Sequence, residues 1–335
     1  MQPRRKLRWG ILSTAEIGRK KVIPGIMKAP SCEVVAMSSR NAAQARAVAD
    51  DLGIPRAYGS YEEMLADPDI DIVYNPLPNH LHVDYTLAAA RNGKHVLCEK
   101  PVALSLADAE RLKDCPGNVM VMEAFMVRFH PQWLRAREIA QSGELGEVRA
   151  VRAVFTYCNT NPEDVRNKPE IGGGGVLDIG CYPVTGGRFF FGAEPERVVA
   201  LVDRCPQFGI DRQASVIADF GNGRHLSFMV STQLVGHQSI EVMGTAGRVE
   251  IVIPYNAPQG EPAAILVDRG HSFDGHLARR EILPASDHYT EQAEAFAQAV
   301  LTGVPLPYGI DDALGSMRVL DAIFESERSG GWARV

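Results

Sequence analysis

Gly10-Ile11-Leu12-Ser13-Thr14-Ala15-Glu16-Ile17-Gly18 decides the reading of this chain. It joins an apolar run, Leu7–Leu12, to a helical pattern over residues 15–29. Residues 13, 15 and 18 keep the G-x-G-x-x-G spacing but carry Ser, Ala and Gly. That spacing serves a tight turn, close backbone approach to a pyrophosphate, and the positive end of a helix. Ser and Ala are the smallest substitutes for Gly, so close approach survives in part. Alone, the segment reads equally as an ordinary strand-to-helix turn. Its position at the head of an alternating series favours a nucleotide turn, with Gly10, Ser13, Thr14, Ala15, Glu16 and Ile17 around the phosphates.

The series runs on through the strands Glu33–Met37, Ile70–Tyr74, His95–Cys98 and Val119–Met122. Between them lie helices over 41–52, after Ser60, over 80–92, and after Ser105. Pro24 is expected to kink or interrupt the first helix. Near-continuous apolar strands alternating with helices predict a parallel, doubly wound α/β sheet, a Rossmann arrangement, over residues 1–123. The pattern then changes. A helix over 131–142 precedes strands over 147–157, 196–204, 213–220, 224–234, 237–243 and 247–253, and helices near 286–302 and 311–328 close the chain. Residues 124–335 therefore read as an α+β domain with a large, mostly antiparallel open sheet laid out as a meander. The last helix is a candidate to pack back on the first domain.

Composition narrows the function. The 335 residues are 45% hydrophobic and 23% charged, with a net charge of −6 and no long run of one sign. Neither a nucleic-acid surface nor a polybasic membrane patch is indicated, and no apolar stretch approaches the roughly 20 residues of a membrane helix. The basic start MQPRRKLRWGIL is followed by too short an apolar run for an export signal, so a periplasmic protein is disfavoured. Six scattered cysteines without a CxxC pair read as free thiols of a cytoplasmic protein. No metal-ligand spacing occurs among the histidines.

Three further segments carry chemistry. The second strand ends in Ser38-Ser39-Arg40, where an acid would hold a ribose 2′-hydroxyl and a cation would accept a 2′-phosphate. NADP is therefore expected over NAD, unless Arg40 is a solvated surface residue. Cys98-Glu99-Lys100-Pro101 ends a strand at the edge where parallel sheets face their ligands. Leu77-Pro78-Asn79 and His82 follow another strand and border the same crevice, although a first-turn His is more commonly structural. Finally Gly172–Gly175 lead into Val176-Leu177-Asp178-Ile179-Gly180-Cys181-Tyr182-Pro183. Asp178 and Tyr182 stand four apart, on one face of a helix. A Tyr beside a Lys can exchange a proton with a substrate hydroxyl. A packed helix with a buried Tyr and a capping Asp is the plainer reading.

With Trp9-Gly10-Ile11-Leu12, Glu99-Lys100-Pro101 and the Gly-rich Asp178–Tyr182 segment in these places, the chain resembles the glucose–fructose oxidoreductase, inositol dehydrogenase and rhizopine-catabolism (Gfo/Idh/MocA) family over its whole length. The form Leu-Asp-Ile-Gly-Cys-Tyr-Pro is similar to that of dimeric dihydrodiol dehydrogenases and NADP-dependent D-xylose dehydrogenases. The resemblance implies hydride transfer between a nicotinamide cofactor and a sugar, polyol or cyclic diol. It assigns Lys100 to positioning the reacting hydroxyl, Asp178 to substrate hydroxyls and Tyr182 to proton transfer, where many members carry His. It places Pro78, Asn79 and His82 near the nicotinamide ribose, with Glu99, Lys100 and Pro101 alongside. Arg128 would border the substrate pocket or serve as a salt-bridged structural residue. The second sheet would pair subunits into a homodimer or homotetramer. Keto-sugar reduction, as of 1,5-anhydrofructose, uses the same residues in reverse. A non-catalytic dinucleotide sensor on this fold is the rival from another class. Catalysis on this reading requires the Lys100 ammonium and the Tyr182 phenol to meet beside the nicotinamide.

Overall fold

The computed structural model describes residues 5–270 and 274–335. By contact density the chain divides into two compact units, one holding residues up to 126 plus 287–314, the other 127–286 plus 315–335.

The first unit is built on a six-stranded parallel sheet. Its strands are β1 (Leu7–Leu12), β2 (Cys32–Ser38), β3 (Arg56–Tyr58), β4 (Ile72–Asn75), β5 (His95–Cys98) and β6 (Val121–Glu123). They lie in the order β3-β2-β1-β4-β5-β6. The order reverses beside β1, so β1 and β4 flank the crevice position where such sheets bind ligands. Helices α1 (Ile23–Lys28), α2 (Ala42–Leu52), α3 (Tyr61–Ala66), α4 (His82–Arg91) and α5 (Leu106–Glu110) connect the strands. Local chemistry sets their starts. Asn41 caps α2 by accepting from the Gln44 N–H, Ser60 caps α3 through Glu63, and Ser105 caps α5 through Asp108.

The first helix departs from expectation. A π-turn over Gly18–Val22 precedes α1, and Pro24 lies in the first turn of α1. Helical backbone runs unbroken from Glu16 to Lys28, and the wider turn just before Pro24 accommodates its missing N–H. Strand β3 has no counterpart in the sequence reading, because three half-buried residues carry too short a pattern.

The second unit holds a nine-stranded sheet, with the helices α6 (Pro131–Gln141) and α7 (Cys181–Phe191) and most of the last helix. Its strands are β7 (Val148–Cys158), β8 (Arg197–Arg204), β9 (Asp211–Asp219), β10 (His225–Ser231), β11 (Gln233–Gly244), β12 (Arg248–Ile251), β13 (Ala263–Asp268), β14 (Arg279–Leu283) and β15 (Ala333–Arg334). The order is β14-β13-β12-β11-β7-β10-β9-β8-β15. The expected meander is thus corrected. β7 lies between β10 and β11 and runs parallel to β10, the other neighbours being antiparallel. A parallel neighbour needs a long crossover, and the segment from Asn159 to Glu196, with α7 inside it, begins that connection. The hairpin expected at 219–224 is present, with Phe220 N–H donating to the Arg224 carbonyl.

One face of this sheet carries the core. Val151, Ala153, Phe155, Val216, Phe228, Val230, Ile240 and Val242 are buried. Trp133 of α6 stacks on Phe190 of α7, with centroids 5.4 Å apart. The opposite face leaves Leu201 and Ile217 exposed.

Helix α8 (His288–Thr302) belongs to the first unit, where Trp9 meets Phe296 edge-on at 6.0 Å and Glu294 accepts from Ser31. The helix that returns to the first unit is therefore the penultimate one. Most of α9 (Ile310–Ser329) belongs to the second, where Ser326 Oγ accepts from the Ala200 N–H and Glu327 pairs with Arg204. Among the described residues no helix is long and apolar enough to cross a membrane.

Candidate active site

In the first unit, β1 delivers the phosphate turn. Gly10 lies within the strand, at a shift in its register with β2. A Cβ there would come within 2.9 Å of Ile70 and 3.2 Å of the Met64 sulfur. A side chain there would have to displace Ile70 and Met64 in the core. The turn itself is made by Ser13, which takes φ +65°, a backbone region that usually calls for glycine. Its Oγ accepts from the Ala15 N–H at 3.2 Å, and this local bond offsets the strain. Ser13, Thr14 and Ala15 are half-buried, while Glu16 and Ile17 are exposed at the helix start. A left-handed residue, two small side chains and a helix N-terminus fit a dinucleotide pyrophosphate.

At the end of β2, Ser38 Oγ donates to the Ile11 carbonyl and Ser39 N–H to the Tyr58 carbonyl. Both serines are buried, and Ser38 spends its hydroxyl proton on holding β1 and β2 together. Arg40 is exposed, and its charge acts on the Tyr61 phenol. Burial pushes the Tyr61 phenol up and Arg40 draws it down.

The loops after β4 and β5 are tied by His82. Its Nδ1 lies 2.7 Å from the Pro101 carbonyl and its Nε2 2.6 Å from the Leu77 carbonyl. Burial pushes His82 down to about 4, against the pull of the two carbonyls. His82 is 1% exposed, and its neutral ring carries one N–H to donate to these two carbonyls, so it ties the loop backbone from inside the fold. Pro78 and Asn79, half-buried at the start of a 3-10 turn, lie on the loop so held.

Glu99 and Lys100 leave the end of β5. The Tyr74 hydroxyl, wholly buried, donates to Glu99 Oε1 at 2.7 Å, and the Lys100 N–H reaches Oε2 at 3.3 Å. Burial pushes the Glu99 carboxyl up, opposed by Lys100 and Tyr74. The Lys100–Pro101 peptide is cis. Tyr74 was missed in the sequence, where it reads as one more apolar position of a buried strand.

In the second unit, a π-turn over Val176–Gly180 carries Asp178, and α7 begins at Cys181. Asp178 and Tyr182 share a helical segment as expected, but with a wider turn between them. Two residues outside the expected set converge on Asp178. The Tyr157 hydroxyl donates to its Oδ2 at 2.5 Å, and Arg166 Nε lies 3.3 Å from the same oxygen. Burial and the Asp178 charge push the Tyr157 phenol far up, so it remains a proton donor. Tyr182 is buried at 7% exposure, with its ring 5.6 Å from Phe155 and 5.3 Å from Tyr255. Helix α6 holds the Tyr255 strap in place, with Trp133 Nε1 donating to the Pro254 carbonyl and Gln132 Nε2 to that of Ile253. Arg128 is 2% exposed on the 3-10 turn Met126–Phe129, a depth that favours the structural reading of this residue. Among the described residues no three His, Cys, Asp or Glu side chains gather as a metal site would need.

Comparison with known proteins agrees with both halves. Residues 7–121 match the model of an oxidoreductase family with an NAD-binding Rossmann fold, and residues 133–250 match the GFO/IDH/MocA C-terminal domain. The chain is 41% identical to D-xylose 1-dehydrogenase (NADP(+)) 2 of Haloferax volcanii, over 96% of this chain and 98% of the relative. It is 35% identical to trans-1,2-dihydrobenzene-1,2-diol dehydrogenase of Xenopus laevis, over 73% and 74%. Its structure is similar to that of KijD10, a 3-ketoreductase from Actinomadura kijaniata in complex with NADP and TDP-benzene, with a TM-score of 0.89, 29% identity, and 96% and 98% of the two chains covered. With both halves matched, the chain belongs to the Gfo/Idh/MocA oxidoreductase family.

Proposed function

We propose that this oxidoreductase is an NADP-dependent dehydrogenase acting on a CH–OH group of a sugar, polyol or cyclic diol. The observation that carries the reading is the pairing of family membership with an intact chemical set of Lys100, Asp178 and Tyr182. The first unit would bind the dinucleotide, with its phosphates at Ser13–Ile17 and its nicotinamide near Pro78, Asn79 and Lys100. When bound, the nicotinamide supplies the hydride acceptor or donor. Lys100 holds the reacting oxygen and stabilises its developing negative charge. Tyr182 exchanges the hydroxyl proton, and Asp178, oriented by Tyr157 and Arg166, accepts from neighbouring substrate hydroxyls. Initial rates with NADP across sugars, polyols and diols test the reading. Absence of turnover on every member, with tight NADP binding, would favour the sensor instead.

The ketoreductase relative favours one second reading, reduction of a keto-sugar by the same residues in the opposite direction. Rates measured both ways on one substrate pair decide which direction dominates.

Preference for NADP rests on Arg40, exposed just past the end of β2 where a 2′-phosphate would lie. Arg40→Asp should weaken NADP binding by about 10–100-fold, the equivalent of one charge-assisted hydrogen bond. NAD binding should be unchanged or improved. Titration of both dinucleotides by fluorescence checks this, and equal losses for the two would refute the assignment.

Self-association through the second sheet is the remaining proposal. Leu201 is 79% exposed and Ile217 46% on a face that Val154 and Met229 continue. Contiguous exposed apolar surface of this kind marks interaction sites. Light scattering should give a dimer or larger, and Leu201→Arg should shift it toward the monomer. A monomeric native protein would end this proposal.

A further inference from the structure

The four glycines before Asp178 look at first like a surface for close ligand approach. What they approach, in this structure, is Asp211. This residue opens β9 and is 3% exposed. Its Oδ2 accepts the Val176 N–H at 2.6 Å, and Val176 is the first residue of the turn that carries Asp178. Gly174 takes φ +120°, and a Cβ there would lie 2.0 Å from Asp211 Oδ1. A Cβ on Gly175 would lie 3.2 Å from the Asp211 carbonyl oxygen. Gly173 packs likewise on the next turn, where a Cβ would lie 2.6 Å from the Arg166 carbonyl. The same seat thus presents Arg166 to Asp178. Burial pushes the Asp211 carboxyl up to about 6, and the Val176 N–H draws it down. Arg204 and Glu327, whose charges act on it in opposite directions, are paired with one another at 2.6 Å.

We infer that Asp211 is a positioning residue for the reaction, whose carboxylate seats the glycine turn and so sets the placement of Asp178 and Tyr182. The inference rests on the dehydrogenase reading. A buried carboxylate that accepts one backbone N–H at a helix start is favoured by the helix dipole and fixes the first turn. A displacement of about 1 Å at reacting groups can cost on the order of 100-fold in rate.

Asp211→Ala should lower kcat/KM for the substrate by about 10–100-fold, through both constants, while the Kd for NADP stays within about twofold. Asp211→Asn keeps an acceptor oxygen for Val176 and should recover part of the loss. Gly174→Ala should lower kcat/KM as well, through the clash with Asp211 and the strain of a side chain at φ +120°. A purely structural residue would lower Tm and leave kcat/KM per folded molecule unchanged, and that result in Asp211→Ala overturns the inference. Amide exchange decides the matter without turnover. Exchange over Val176–Tyr182 should be slow in the native protein and faster in Asp211→Asn and Asp211→Ala. If the native enzyme turns over nothing on the panel, the dehydrogenase reading fails. Unaltered exchange at Val176 would then, as in any case, overturn the role given to Asp211.

Discussion

Lys100→Met should lower kcat by about 1,000-fold, or roughly 4 kcal/mol of barrier, while NADP binds almost as tightly as before. The lysine stands at the carboxyl end of β5, where a parallel sheet opens to its ligands. Its backbone is fixed on both sides. The Lys100 N–H bonds to Glu99, Tyr74 bonds to Glu99 from within the core, and His82 grips the Pro101 carbonyl. Met matches the stem in length and apolar character, so these supports survive the change. What disappears is one ammonium, and with it the only proposed stabiliser of negative charge on the reacting oxygen. A change confined to substrate affinity, with kcat untouched, would mean that the lysine binds the ground state and transition state alike. Pre-steady-state nicotinamide absorbance separates these cases, because it isolates hydride transfer from product release.

The second large effect is expected at Tyr182. Tyr182→Phe should lower kcat/KM by about 100-fold or more, the range in which a positioned acid or base contributes. Stability should be nearly unchanged. The ring packs against Phe155 and Tyr255, and Phe keeps those contacts. Steady-state kinetics beside thermal denaturation check both halves of the statement. Loss of Tm in step with activity would make Tyr182 a packing residue, the plainer reading that its sequence context leaves open. Tyr157 is the natural rival for proton transfer, being bonded to Asp178 at 2.5 Å. Retained activity in Tyr182→Phe with loss in Tyr157→Phe would transfer the role.

Much of this was legible in the residues because it is local. Ser60 and Ser105 cap helices through their own third neighbours, and alternation along 147–157 predicts a half-exposed strand. The phosphate turn could be read because its spacing places small residues where a helix begins, with Ser13 in the left-handed conformation of a glycine. What could not be read depends on distant parts of the chain. Tyr74 meets Glu99 across two adjacent strands, and nothing near residue 74 signals a polar partner. Arg166 and Tyr157 reach Asp178 from a loop and a strand end. Asp211 lies 35 positions from the amide it receives, so the glycines could be seen but not their purpose. His82 shows the same limit: the sequence around it gives no sign of the Leu77 and Pro101 carbonyls that its ring meets. The meander failed for a topological reason. Alternation identifies strands, but it carries no record of which neighbour a strand takes, and β7 takes β10 in parallel.

The most direct test is a single-turnover experiment in which the native enzyme, Lys100→Met and Tyr182→Phe are each loaded with NADP and mixed with a panel of sugars, polyols and cyclic diols. The prediction is rapid NADPH formation by the native chain with at least one panel member, and unimpaired NADP binding with formation slowed about 1,000-fold in Lys100→Met and about 100-fold or more in Tyr182→Phe. A native enzyme that holds NADP firmly yet never reduces it, or variants that reduce it as fast as the native chain, would contradict the reading.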